Sequence, residues 1–184
     1  MAGGGYALNR LISHSAGIPV EFTNARTQGA LISQNIVDLS NQSAADLAKI
    51  NDLDAQGNYT DALTLTGTVI TQSQAIRDQA VALSSQVEAM TRALSDISSL
   101  DARQAALEAI ASRLALISRL INYSGDLGQL LDTLRSHFSG NPPQSHEVST
   151  LIDQINSEVN AINNFNNQAT QSMLKFDKLE PAQQ

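Results

Sequence analysis

The chain has no cysteine and no tryptophan, and its lysines are confined to Lys49, Lys175 and Lys178. Without cysteine, disulfides and thiolate metal sites are excluded, although the compartment is left open. The eight arginines, Arg10, Arg26, Arg77, Arg92, Arg103, Arg113, Arg119 and Arg135, are spread singly along a chain of net charge -7. Nucleic-acid binding needs clustered Lys and Arg, and anionic membrane surfaces need a basic patch, so neither partner is expected. No run approaches the roughly 20 apolar residues that span a bilayer. Proline is missing from Val20 to Asn141, so nothing forces a helix break across that stretch. Glycine-rich phosphate loops are missing as well: Gly125-x-x-Gly128 has no basic neighbour and reads better as a packing notch.

What the chain does have is four apolar stripes stepping by three and four residues. The first is Phe22, Ala25, Gly29, Ile32, Ile36, Leu39, Ser43, Ile50 and Leu53. The second is Ala62, Thr66, Val69, Ser73, Ile76, Ala80, Leu83, Val87, Met90 and Leu94. The third is Leu107, Ile110, Leu114, Ile117 and Ile121, resuming at Leu131, Leu134 and Phe138. The fourth is Val148, Ile152, Ile155, Val159, Ile162, Ala169, Met173 and Phe176. A period near 3.5 puts one face of each helix against a partner. The expectation is an all-α, elongated, antiparallel four-helix bundle with up-down-up-down order and coiled-coil-like packing.

Local chemistry places the ends. Pro19 suits a helix start, Gly57 a left-handed stop, Asn58 or Thr60 the next cap, and Ser98 or Ser99 the cap of helix 3. Asn141-Pro142-Pro143 marks the last loop. The division is 1–17 as a leader or anchor remnant, 18–178 as the bundle and 179–184 as a tail. Asp46 interrupts the first stripe, and a small rotation that favours Leu47 would keep it at the edge of the core. The first half of helix 2 carries Ala62, Thr66 and Ser73 and the second half Leu83, Val87 and Met90, which makes the Gly57 end thinner or wetter.

No catalytic, cofactor or metal residue is nominated. His146-Glu147 begins like a zinc-protease motif, but Thr150 stands where the second histidine belongs. His137 and His146 flank the proline loop and read as a solvated pair, and no serine lies in a Gly-x-Ser-x-Gly turn. The residues singled out for interaction are Tyr123, Gly125 and Gly128 on helix 3, and the stripe Asn156, Asn160, Asn163 and Asn167 on helix 4. Asn166 falls on the fourth seam, where a buried amide would set register.

Two resemblances follow from particular residues. Gly57-Asn58-Tyr59-Thr60-Asp61-Ala62-Leu63 resembles the turn of a tetratricopeptide hairpin, but it spans seven residues and never recurs, so it reads as convergent turn chemistry. Ile18-Pro19-Val20-Glu21-Phe22 leading into a long helix, then the Gly57-Asn58-Tyr59 turn and further long helices, is similar to uncharacterised bacterial proteins with an N-terminal membrane anchor and a helical bundle. That resemblance covers most of the chain. It implies an extracytoplasmic bundle and assigns no activity, and the full anchor of that layout is missing here. An amide-rich, lysine-poor helical surface points the same way, to an exported bacterial protein. The expected function is a non-enzymatic interaction or structural module at the cell envelope with a protein partner and no cofactor. The alternative is an extracytoplasmic ligand-sensing bundle. Oligomeric state stays open, because heptad seams are satisfied within one chain or between chains.

Overall fold

The computed structural model describes residues 18–138, 140 and 145–179. The leader at 1–17, the proline loop at 141–144, the end of the tail and the side chains of His14 and His146 lie outside the described residues. Among the described residues four α-helices make up the fold: α1 (Val20–Ala55), α2 (Tyr59–Ala93), α3 (Leu100–Phe138) and α4 (Ser145–Leu179). At a rise of about 1.5 Å per residue, each is some 50–60 Å long.

The ends form where the capping chemistry places them. The Pro19 carbonyl accepts from the Thr23 N–H at the start of α1. Gly57 takes φ 71°, a left-handed conformation that needs no Cβ, and stops α1. The Asn58 side chain accepts from the Asp61 N–H to open α2. A single 3-10 turn, Leu94–Asp96, ends α2 and buries Ile97, and the Ser99 hydroxyl then accepts from Ala102 N–H to start α3. Helix α3 runs unbroken through Gly125 and Gly128, at a propensity cost of about 1 kcal/mol per glycine.

Polar contacts between helices fix their direction. Arg77 meets Ser124 and Met90 meets Arg113, so α2 and α3 are antiparallel. Arg119 with Glu158 and Glu108 with Lys175 do the same for α3 and α4. Arg26 with Asp177 and Asn41 with Asn163 complete the ring between α4 and α1. Among neighbouring helices, contact is most extensive within the α1–α2 and α3–α4 hairpins and sparsest between α1 and α4.

The buried faces of α1, α2 and α4 follow their predicted stripes, including Phe22, Ile36, Val69, Leu83, Ile155 and Phe176. Leu47 is buried, while half-buried Asp46 sits at the core edge and accepts from Gln72 Nε2 at 2.7 Å. Gln72 in turn accepts from the Ser43 hydroxyl at 2.8 Å, which makes a polar layer midway along the bundle. Asn166 is only half-buried, and its side chain is not a core amide.

Helix α3 corrects part of its predicted seam. Ile110, Leu131 and Leu134 are buried and Ile117 and Phe138 pack against the core as expected, but Leu107, Leu114 and Ile121 are exposed, and the rest of the buried face is Ala102, Ala105, Ala106, Ala109, Arg113, Leu116, Leu120, Tyr123, Leu127 and Leu130. The physical reason is continuity and closeness. This face runs without a gap into Leu131 and Leu134, and its alanines let α4 approach closely. The Leu107 stripe instead runs out at Gly125 and Gly128.

Candidate functional site

Because the first half of α3 turns an alanine-rich face inward, four of its large aliphatic side chains face water. Leu100 is 75% exposed, Leu107 43%, Leu114 52% and Ile121 69%. They recur at intervals of seven, and at 100° per residue they fall opposite the core face. Exposed Gln104, Ala111, Ser118 and Gly125 fill the positions between them. No charged side chain lies within this strip. Glu108 and Arg119 stand towards α4, engaged with Lys175 and Glu158, and Arg103 folds back to donate to the Ile97 carbonyl at 2.6 Å. Four exposed aliphatic side chains along one uncharged helix face, on a chain of charge -7, are the kind of feature that marks an interaction site.

The interaction residues nominated on α3 do not share a face. Tyr123 is fully buried, with its hydroxyl packed near Ser43 and lacking a formed hydrogen bond. Burial holds this phenol above its ordinary range, and the Ser43 hydroxyl works in the other direction. Gly125 and Gly128 are exposed with open space around their Cα atoms, and Gly125 extends the apolar strip. On α4, Asn156, Asn160 and Asn167 are exposed, whereas half-buried Asn163 donates to Asn41 of α1 at 3.2 Å. Asn163 therefore bridges two helices.

A second feature lies at the Gly57 end, where the sparse α1–α4 contact opens a cavity of about 600 Å³. Leu47, Ile50, Leu130, Leu134 and Ile152 form its apolar walls, and Asp54 and His137 stand on its rim. His137 is not a free solvated side chain. Its Nε2 lies 3.0 Å from the Asp54 carboxylate, and its ring stacks near Phe138 and edge-on to Tyr59. The turn tyrosine thus packs against the end of α3. The Asp54 carboxylate thereby orients the His137 ring at the cavity rim.

Sequence reasoning missed Arg113. It is 3% exposed in the centre of the bundle, donating to Met90 Sδ at 2.9 Å and to the Arg26 carbonyl at 3.2 Å. A thioether is a weak acceptor, and among the described residues no carboxylate forms an ion pair with this guanidinium, while Asp177 pairs with the neighbouring Arg26. Burial first, and the like charge of Arg26 second, push its pKa down to about 10. Gly29 makes room for it: a Cβ there would lie 2.5 Å from Arg113 Nη1. The side chain lines neither the cavity nor the strip, so its role is in packing. The one available signal was its place two turns from Leu120 on the Ala106–Leu120 stripe.

Among the described residues no three His, Cys, Asp or Glu side chains are grouped to hold a metal ion, and no helix is long and apolar enough to cross a membrane. No protein-family model, curated protein or solved structure matches the chain.

Proposed function

We propose that this protein is a non-enzymatic interaction module at the bacterial cell envelope, which works by presenting the solvent side of α3 to an amphipathic helix of a protein partner. The observation that carries this reading is the uncharged ladder Leu100, Leu107, Leu114 and Ile121 on the face opposite the core. Covering it stabilises a complex by about 1 kcal/mol per side chain, since each is already partly shielded. The amide-rich, lysine-poor surface and the similarity in layout to anchored bacterial bundles support the envelope location. Photoreactive benzoylphenylalanine in place of Leu114 tests the reading in cells that express the native gene. A discrete adduct is expected from Leu114 and none from exposed Asn35 on α1. Absence of an adduct from Leu114 rules the reading out. Cell fractionation with carbonate extraction and external protease tests the location, and a soluble, protease-protected protein would contradict it.

The cavity favours a second reading, a ligand-sensing bundle that holds a small molecule between α1, α3 and α4. Its volume lies within the range of small-molecule sites, and it occupies the end where α2 carries small and hydroxyl side chains. A sensor gains thermal stability with its soluble ligand: a compound at 100 times its Kd raises stability by about 2.7 kcal/mol. Leu134→Trp, which fills the cavity, should abolish any such gain. A metabolite panel that leaves the melting temperature unchanged removes this second reading.

A further inference from the structure

Resting on the ligand-sensing reading above, we propose that the cavity at the Gly57 end takes an organic cation, a protonated amine with an apolar body. Its ammonium group sits among Asp52, Asp54 and Asp153 while its hydrocarbon enters between α1, α3 and α4. Three observations lead there.

The first is how the lining divides. Leu47, Ile50, Leu130 and Leu134 are buried and close the inner part of the cavity. The polar lining residues Asn51, Asp52, Ser149 and Asp153 are exposed and come from α1 and α4, so the mouth lies between those two helices. A site divided in this way takes an amphiphile, apolar end first and polar end at the rim.

The second is the sign of the rim. Three carboxylates line the cavity, and among the described residues that do so there is no lysine or arginine. His137 is the sole basic group, and its ring is already engaged with Asp54 at 3.0 Å. Asp52 and Asp153 form no ion pair among the described residues. A cleft with apolar walls and charge of one sign focuses its field on a ligand of the opposite sign. An anion would be repelled, and a neutral amphiphile would gain nothing from the carboxylates.

The third is where two of those carboxylates stand on their helix. Asp52 and Asp54 lie in the last turn of α1, the negative end of that helix's dipole, and no basic residue shares the turn. Lysine or arginine is the favourable choice at that place. A bound ammonium supplies the positive charge this turn lacks, and its N–H groups find acceptors in the carboxylates around it.

Three probes of one shape and different charge test the assignment on the wild-type chain: phenylbutylamine, phenylbutanol and phenylpentanoate, each with a terminal ring. Each is titrated to about 10 mM and followed by NMR of labelled leucine and isoleucine methyl groups. The amine is expected to bind with a Kd of about 0.1–1 mM. It should bind about tenfold more tightly than the alcohol, since each solvated carboxylate adds roughly two- to fivefold, and the acid should bind weakest. The largest shifts should fall on Leu130, Leu134 and Ile152, which line the walls. Asp52→Asn with Asp153→Asn, both exposed in the fold, should raise the amine's Kd to within about twofold of the alcohol's and leave the alcohol's unchanged. Salt at about 1 M, where the Debye length is about 3 Å, should do the same to the wild type. An alcohol that binds as tightly as the amine, or an acid that binds more tightly, overturns the cation and leaves the cavity reading standing. Amine shifts confined to the backbone of Asp52 and Asp153, with the wall methyls unmoved, also overturn it, as surface pairing alone. If none of the three probes moves the wall methyls, the cation and the ligand-sensing reading fall together.

Discussion

Arg113→Met is expected to stabilise the fold by about 1–4 kcal/mol, the range seen when buried ionic groups give way to apolar side chains of similar volume. For a chain of this size that is a rise in melting temperature of very roughly 3–12 °C. The wild-type guanidinium is withdrawn from water with a thioether and one helical carbonyl in place of a counter-charge. That carbonyl belongs to Arg26 inside α1, where the helix supplies its own donor, so methionine leaves no acceptor stranded. The sign of the pH dependence follows. A cation whose folded pKa is depressed binds protons less well in the native state, so its cost is full below about 10 and is relieved as pH rises through and above that value. The stability gap between Arg113→Met and wild type should therefore stay constant from neutral pH to about pH 9 and narrow in more alkaline solution. Gly29 gives a coupled check. Gly29→Ala in the wild type brings a methyl against the buried guanidinium and is expected to cost a net of about 1 kcal/mol, overpacking outweighing the gain in helix propensity. In the Arg113→Met background the clash is gone, and the same change should stabilise by about 1 kcal/mol. Denaturant titrations of the four proteins measure this cycle. Additive effects would mean that the two side chains do not share the space.

Phe176→Ala is expected to destabilise by about 3–5 kcal/mol, the largest loss from any single truncation considered. The ring is fully buried at the Pro19 end, with its centroid 5.1 Å from that of Phe22 and the Arg26 guanidinium 5.7 Å from its centre. Removing it opens a void and strips Arg26 of its aromatic face. The adjacent Asp177 then holds Arg26 alone, at the place where α1 and α4, otherwise in sparse contact, are tied together. Phe176→Leu, which keeps most of the apolar volume, should recover more than half of the loss. Thermal unfolding followed by far-UV circular dichroism decides the matter. A drop below about 1 kcal/mol would mean that this end of the bundle is not the packed one.

Much of this architecture was legible in the chain because helical periodicity is a local property. The stripes of α1, α2 and α4 are unique on their helices, so each indicates the buried face without knowledge of its neighbours. Gly57, Asn58 and Ser99 end or start helices through bonds that reach no more than a turn away, and so they too could be read in advance. The cavity was not foreshadowed: it lies between α1, α3 and α4, and none of the small α2 residues Ala62, Thr66 and Ser73 lines it.

Helix α3 was not legible in the same way because it carries two apolar stripes. Leu107, Leu114 and Ile121 are larger and look like the better core, yet the alanine face won because it lets α4 pack closely and continues into Leu127, Leu130 and Leu134. That choice depends on how near another helix can come, which is a non-local quantity. Its consequences were equally hidden: Arg113 drawn into the interior, Tyr123 turned away from any partner, Asp54 brought to His137 across the bundle, and a leucine ladder left facing water. Periodicity determined the helices and three of their four buried faces. Only the packing of α3 against α4 decided which side of α3 was left to meet a partner.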